Sequence, residues 1–334
     1  MKKTLIALAV LATAGTAFAQ STVSLTGIVG AAAQSYDTIG GSRQRGISLT
    51  DATIKVGVTE DLGSGLKAAA GIEFDESSER FGNALNRRKT FVSLTGGFGQ
   101  VSFTNVRSGN LLTQGMVAPA NLYLGIYDGS MVVNRSPVDA LTYGTKFGDF
   151  TASVQYVESA TDGAQNGAVK VGVLNGGYAK GPLAVGIAVK GYSFREDLPM
   201  GLERARKNRL EAFATYDLGV AKFGVGYDGK NVGTSDAVYA ANLANEYASI
   251  RTPGTADYVR FNRAAAWSVG VSAPLGAFTV GANYAKRDIA KLTEVVAKYD
   301  LSKRTNLNAS FGRQTANEGT DSGNQYRIGM YHSF

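Results

Sequence analysis

Hydrophobic and polar positions alternate with a period of two along most of the chain. In the last nine residues, one parity holds Tyr326, Ile328, Met330, His332 and Phe334, and the other Arg327, Gly329, Tyr331 and Ser333. A strand sends successive side chains to opposite faces, so one face is apolar and the other polar or small. Leu307, Ala309 and Phe311 alternate in the same way with Asn306, Asn308, Ser310 and Gly312. Trp267, Val269 and Val271 alternate with Ser268, Gly270 and Ser272, and Phe278, Val280, Ala282 and Tyr284 with Thr279, Gly281 and Asn283. Phe223, Val225 and Tyr227 alternate with Lys222, Gly224 and Gly226. In a soluble sandwich the apolar parity meets a packed core. Here the segments run roughly 8–11 residues, the length of a tilted strand crossing a bilayer. Apolar outward and polar inward is the pattern of a transmembrane barrel.

Seven short turns punctuate the chain: 60–65, 96–99, 147–150, 180–183, 216–219, 273–276 and 299–303. Most carry Gly for positive φ, with Asp or Pro to start the turn. Longer polar connections fall near 35–48, 75–86, 107–136, 158–168, 195–207, 228–262, 287–291 and 314–324. Seven turns and eight loops join sixteen strands, with both termini on the short-turn side. The expected fold is therefore all-β: a 16-stranded antiparallel transmembrane β-barrel with short periplasmic turns and long outer loops. Sixteen strands enclose an aqueous lumen. Phe98, Phe147, Phe150, Tyr216, Phe223, Phe278 and Tyr299 stand beside the turns, where rings suit a membrane–water girdle.

The N-terminus supplies the address. Lys2 and Lys3 precede an apolar run from Leu5 to Ala14, and Ala17-Phe18-Ala19 fits a small-x-small cleavage site. This is the order of a secretory signal peptide, too short to span a bilayer. The domains expected are 1–19, a cleaved signal, and 20–334, the barrel. Of 34 Lys and Arg the leader takes two, leaving 32 against 27 acidic residues. That modest, scattered excess does not call for nucleic acid as a partner. There is no cysteine, which excludes disulfides, thiolate metal sites and cysteine nucleophiles. The single histidine, His332, rules out a three-histidine metal site and leaves one residue to serve any Ser-His-Asp arrangement. No cofactor and no metal are expected.

Several segments resemble the Gram-negative general porins of the β-proteobacterial, anion-selective class. Val23-Ser-Leu-Thr-Gly-Ile28 resembles the family's opening strand, and 59–67 its first periplasmic turn. Residues 88–99 are similar to its fourth strand and second turn, 301–305 to its last turn, and terminal Phe334 to the assembly signal of outer-membrane barrels. The resemblance implies a homotrimer with one pore per subunit, set in outer-membrane lipid and lipopolysaccharide and delivered to the barrel-assembly machinery through Phe334. It also implies a third loop, about 107–136, folded into the lumen. In anion-selective members wall arginines face acidic groups at the constriction. Arg88 and Arg135 match wall positions, and Glu73 an acidic pore residue. Thr53 stands where relatives carry another arginine, and Lys55, two residues along that face, partly replaces it.

The implied function is passive diffusion of ions and small hydrophilic solutes, small anions above all. Cationic side chains in a narrow low-dielectric pore focus the field on a passing ion. The proposed constriction comprises Arg88, Arg135, Glu73 and Lys55, with Arg107 and Asp128 from the loop. Each has a blander reading as a solvated charge, and only one of Arg87 and Arg88 can face the lumen of a regular strand. Lys67 shares the parity of Glu73 but lies nearer the periplasmic end. Gly224-Val-Gly-Tyr-Asp-Gly229 with Lys230 mimics a phosphate-binding loop, yet no helix and no Ser or Thr follows. Small inward residues on a strand explain it better. A solute-specific anion channel, an outer-membrane hydrolase using His332 and an adhesive role for the loops are the alternatives. The signal reading has a direct check: the N-terminal residue of the secreted form, measured by mass spectrometry, is expected to be Gln20.

Overall fold

The computed structural model describes residues 21–37, 43–75, 86–107, 109–119, 137–159, 169–194, 208–230, 264–287, 290–315 and 323–334. The sixteen strands are β1 (Thr22–Asp37), β2 (Arg43–Gly63), β3 (Leu66–Asp75), β4 (Asn86–Gly96), β5 (Gly99–Arg107), β6 (Pro137–Phe147), β7 (Phe150–Ser159) and β8 (Val169–Lys180), then β9 (Leu183–Phe194), β10 (Asn208–Asp217), β11 (Lys222–Asp228), β12 (Ala266–Leu275), β13 (Phe278–Arg287), β14 (Ala290–Asp300), β15 (Thr305–Thr315) and β16 (Gly323–Ser333). Each pairs antiparallel with its neighbours in sequence, and β1 pairs with β16, so the sheet closes into a barrel. In hydrocarbon every backbone donor and acceptor needs an internal partner, which a closed sheet supplies.

The alternation sorts the faces as the sequence pattern predicts. Val23 and Ile328 are each 69% exposed, and Leu25, Val56, Val92, Val154 and Leu174 share this outward apolar surface. The opposite parity holds Thr53, Ser93, Asn283 and Asn308, all buried toward the lumen. The molecule thus has its apolar layer outside, where lipid is the solvent. The turn-side rings Phe98, Phe147, Phe150, Tyr216, Phe223 and Phe278 are all exposed, as a girdle requires.

The periplasmic turns repeat one device. Asp61 Oδ1 accepts from Gly63 N (2.9 Å), and Asp217 Oδ1 from Gly219 N (2.8 Å). The glycines then sit at φ 85° and 79°, the left-handed region that disfavours a Cβ. The last turn lacks that glycine and uses Ser302, whose Oγ accepts from Arg304 N and Thr305 N at 3.1 and 3.0 Å. One expectation needs adjustment. Strands of eight to eleven residues were anticipated, but β1 has 16 residues and β2 has 21. Their hairpin continues past the membrane as far as the Asp37–Arg43 ion pair (2.7 Å). A bulge between Gly30 and Ala31 re-aims its outer half.

Aromatic rings cover glycines on the facing strand. A Cβ on Gly71 would meet Phe91 at 2.6 Å, on Gly186 Phe213 at 2.3 Å, on Gly30 Tyr331 at 2.4 Å and on Gly27 Phe334 at 2.4 Å. The last two lie across the β1–β16 seam. Gly27 N donates to Phe334 O, and Phe334 N to Gly27 O, both at 3.0 Å. Tyr331 is fully buried, and its hydroxyl accepts from Thr50 Oγ1 (3.2 Å). Truncating such a ring costs about 3–5 kcal/mol. Tyr331→Ala is therefore expected to lower the urea midpoint of barrel unfolding with an unchanged slope, as followed by tyrosine and tryptophan fluorescence.

Candidate functional site

The site begins where chain enters the barrel. From the end of β5 at Arg107 the chain turns inward, forms a short 3-10 helix, Leu111–Gly115, and lies against the inner wall as far as the described residues run, to 119. Glycines on β11, β12 and β13 make the seat. A Cβ on Gly226 would sit 2.3 Å from Leu112 O, on Gly224 2.5 Å from Gly115 O, on Gly270 2.5 Å from Val117 N, and on Gly281 2.7 Å from Ala118 Cα. The inward parity of these strands is small because backbone must fit there. Hydrogen bonds complete the seat: Ser268 Oγ donates to Leu112 O (2.7 Å), and Ala118 N donates to Asn283 Oδ1 (3.0 Å). Asn283 is held in turn by donating from Nδ2 to Glu294 (3.0 Å).

An ionic chain crosses β9, β10, β11 and β13 beside the seat. Lys190 Nζ donates to Glu211 Oε1 (2.5 Å), and Arg209 Nε lies 3.5 Å from the same oxygen. Arg209 also grips Asp228 through Nε (2.5 Å) and its second guanidinium nitrogen, and Arg287 donates to the same carboxylate. Asp228 and Glu211 are essentially fully buried. Both carboxylates hook the loop. Asp228 accepts from Asn110 Nδ2 (2.8 Å), and Glu211 Oε2 accepts from Leu111 N (3.1 Å). Asn110 Oδ1 meanwhile accepts from Leu112 N (2.8 Å) and starts the helical turn. Each charge has a partner, as buried charge requires.

The wall of β2, β3 and β4, diametrically across the ring from β11, carries the second group. Lys55 pairs across the ladder with Glu73, and Glu73 with Lys89. Lys55 Nζ lies 3.3 Å from Glu73 Oε2, with the lysine side chain 53% exposed and the glutamate 16%. The cation therefore faces the water and the carboxylate is shielded. Lys89 Nζ sits 5.4 Å above the Phe91 ring. Thr53, two residues along, is buried on the same inward parity.

The candidate residues fall into two groups. Lys55 and Glu73 are brought together. Arg88 stands at a bulge, because Glu73 pairs with Lys89 and Phe74 with Arg87; its side chain is outside the described residues. Arg107 ends β5 opposite Pro137, and its side chain is likewise not described. Asp128 and Arg135 fall outside the described residues.

Sequence reasoning missed Lys89 because a regular strand would exclude it from the parity of Arg88. It also missed the ionic chain, although Arg209-Leu-Glu211 shows the i, i+2 spacing of two charges on one face. The Gly224-Val-Gly-Tyr-Asp-Gly229 stretch proves to be the loop seat, with Asp228 as its ionic anchor. His332 faces outward and shares a 2.9 Å hydrogen bond with Thr305 Oγ1. Beyond Leu111, a recess of about 460 Å³ is lined by Lys146, Thr151, Ser153, Asn175, Gly186 and Phe213 among others.

A family model described as Gram-negative porin matches residues 4–319. Outer membrane porin protein 32 of Delftia acidovorans is 33% identical over 250 residues, spanning 66% of this chain and 68% of that protein. Among solved structures, an anion-selective porin from Comamonas acidovorans aligns over 94% of this chain and all of its own, with TM-score 0.63 and 20% identity. A loop-deletion mutant of an outer membrane protein of Vibrio cholerae aligns over 94% of this chain and 99% of its own, with TM-score 0.61 and 14% identity.

Two substitutions test the seat. Removing one partner of a buried ion pair costs about 3–5 kcal/mol, so Asp228→Asn should leave Arg209 and Arg287 undercompensated and free Asn110. Gly226→Val should push Leu112 off the wall. Both variants are expected to fold and to show noisier single-channel current with altered conductance than the parent protein.

Proposed function

The chain belongs to the Gram-negative porin family, and from that premise we propose that its channel prefers anions through the lysine-rich row facing the loop seat. As a family member it is an outer-membrane diffusion channel that passes ions and small hydrophilic solutes, and it is not an enzyme. Transport needs a radius and a potential; no bond breaks.

The observation that carries the preference is the charge count of the two facing rows. Lys55 and Lys89 flank Glu73, and Lys190, Arg209 and Arg287 surround Glu211 and Asp228. Each row holds one more cation than carboxylates. In a narrow lumen with low-dielectric walls such a surplus attracts small anions. It also avoids tight binding, because the carboxylates offset most of the charge. The Comamonas relative's description as anion-selective supports this reading. We place Arg88 and Arg135 with Lys55 and Glu73 at the constriction, and Arg107 and Asp128 on the loop that narrows it. We further propose cleavage after Ala19, a homotrimer with one pore per subunit, contact with lipopolysaccharide, and recognition of Phe334 by the barrel-assembly machinery.

The recess beyond Leu111 favours a second reading, a channel with a weak site for particular organic anions. Phe213 offers a ring held over Gly186, and Lys146 a cation on the same wall. Flux that saturates with an aromatic carboxylate but not with chloride is the expected signature. Linear flux for both removes this reading.

Planar bilayers under a KCl gradient test the preference. The reversal potential is expected to lie toward that of chloride. A unit charge at ~4 Å acts with about 1 kcal/mol in water, so Lys55→Gln, Lys89→Gln, Arg88→Gln and Arg135→Gln should each lower the chloride-to-potassium permeability ratio by roughly two- to fivefold. Raising salt from about 0.1 M to 1 M shortens the screening length from about 10 Å to 3 Å, and selectivity should fall with it. A cation-directed reversal sinks the charge assignment and leaves the channel.

A further inference from the structure

Charge recurs on the lumen face at the periplasmic end of the barrel, well below the residues placed at the constriction. Lys67 is the second residue of β3, Lys146 the last but one of β6, Lys222 the first of β11 and Lys298 the last but two of β14. Each holds the inward parity of its strand. Lys67 shares the parity of Glu73. Phe147, Phe223 and Val295, of opposite parity to Lys146, Lys222 and Lys298, are exposed on the lipid side. In the ring of sixteen strands, β3 lies opposite β11 and β6 opposite β14. The four lysines therefore form two diametrically opposed pairs.

The nearest carboxylates are engaged elsewhere. Asp61 and Asp217 stand directly across the ladder from Lys67 and Lys222, yet each turns an oxygen to the backbone of its turn, accepting from Gly63 N and Gly219 N. Asp149, beside Lys146 in the lining of the recess, lies 3.3 Å from Lys180. Of the four lysines only Lys298 has an ion pair among the described residues, with Asp300 at 3.1 Å. Lys67 and Lys146 are exposed to the lumen and Lys222 partly so. Lys67 lies six residues below Glu73 on β3, and Lys222 six below Asp228 on β11. That is about 20 Å along the strand, twice the screening length of about 10 Å at 0.1 M salt. The two levels are therefore electrically separate.

We propose that Lys67, Lys146, Lys222 and Lys298 form a second anion-attracting tier at the periplasmic mouth, which sets the entry of small anions from that side independently of the constriction. An ammonium group on a flexible stem is strongly hydrated, so it draws an anion near without fixing it. Opposed pairs centre the field on the pore axis, and the low-dielectric wall concentrates it there. The tier rests on the diffusion-channel reading but not on the charges assigned to the constriction. It is a sided device, because salt on the periplasmic side screens it and salt on the outer side does not.

The experiment records single channels of the mature protein with KCl at about 0.1 M on one side and about 1 M on the other, in both directions. Orientation is assigned from the compartment in which a thiol reagent too bulky for the constriction reacts with Lys67→Cys. The comparison is between the parent and a variant combining Lys67→Gln, Lys146→Gln and Lys222→Gln. With the dilute solution on the periplasmic side, the variant is expected to carry roughly twofold less chloride current from that side. With the dilute solution outside, it should match the parent. Charge rescue separates field from structure, since the chain has no other cysteine. Lys67→Cys with Lys222→Cys should recover current after reaction with a small thiol reagent carrying an amine, and not with a neutral one of similar size. Equal currents for parent and variant under both gradients overturn the proposal. So does a loss that is the same in both directions, or rescue by the neutral reagent. A parent whose potential reverses toward potassium removes the charge assignment at the constriction and leaves this sided comparison readable.

Discussion

A peptide group in hydrocarbon has no water to bond, and each unpaired donor or acceptor costs several kcal/mol. Closure of β1 onto β16 is the answer to that constraint, and the rest of the molecule depends on it. A closed sheet has an inside and an outside but no edge. Lipid wets one face and water the other, so the period-two alternation becomes a division between solvents. No large buried apolar core is needed, and Ala118 on the loop packs with Val296 on the wall in a small apolar cluster.

Closure also creates a problem that the lumen must solve. Sixteen strands enclose more space than a selective channel needs, so chain has to be placed inside and held there against water. The solution combines absence and charge. Glycines on β11 to β13 remove side chains where the loop backbone rests, and Asp228 and Glu211 hook its first turn. Buried ion pairs add little net stability but specify position. That suits a loop whose placement sets the pore. The same carboxylates offset Arg209, Arg287 and Lys190, so the anchor and the lumen potential are built from one set of residues.

The fold was legible because its information is local. Asp-Leu-Gly turns, alternation and loop lengths are properties of contiguous residues, and each reads without knowing what lies across the sheet. The site was legible only in part. Lys55 and Glu73 were found because each lies on an inward parity within its own strand. Lys89 was passed over because the resemblance put Arg88 on the lumen side, although the outward Val92 and Leu94 and the inward Ser93 place Lys89 on the inward parity. The cluster around Asp228 was hidden for a different reason. Its members come from four strands spread over 190–287, and their meeting depends on register and on a loop from β5. The long β1–β2 hairpin was underestimated because its outer half, Arg43-Gln-Arg-Gly46, is polar on both faces and carries no periodic signal.

The seam between Gly27 and Phe334 has a consequence for biosynthesis. The strand β1 finds its second partner only in β16, so no ordering of intermediate steps can seal the cylinder before β16 has been made. Until then β1 offers an open row of peptide groups, a template for any stray strand. The contact that completes the structure also has the largest sequence separation in it, and such contacts are the slowest to form. The nascent protein therefore stays an unclosed ribbon until then, and the bonds between Gly27 and Phe334 act as the clasp.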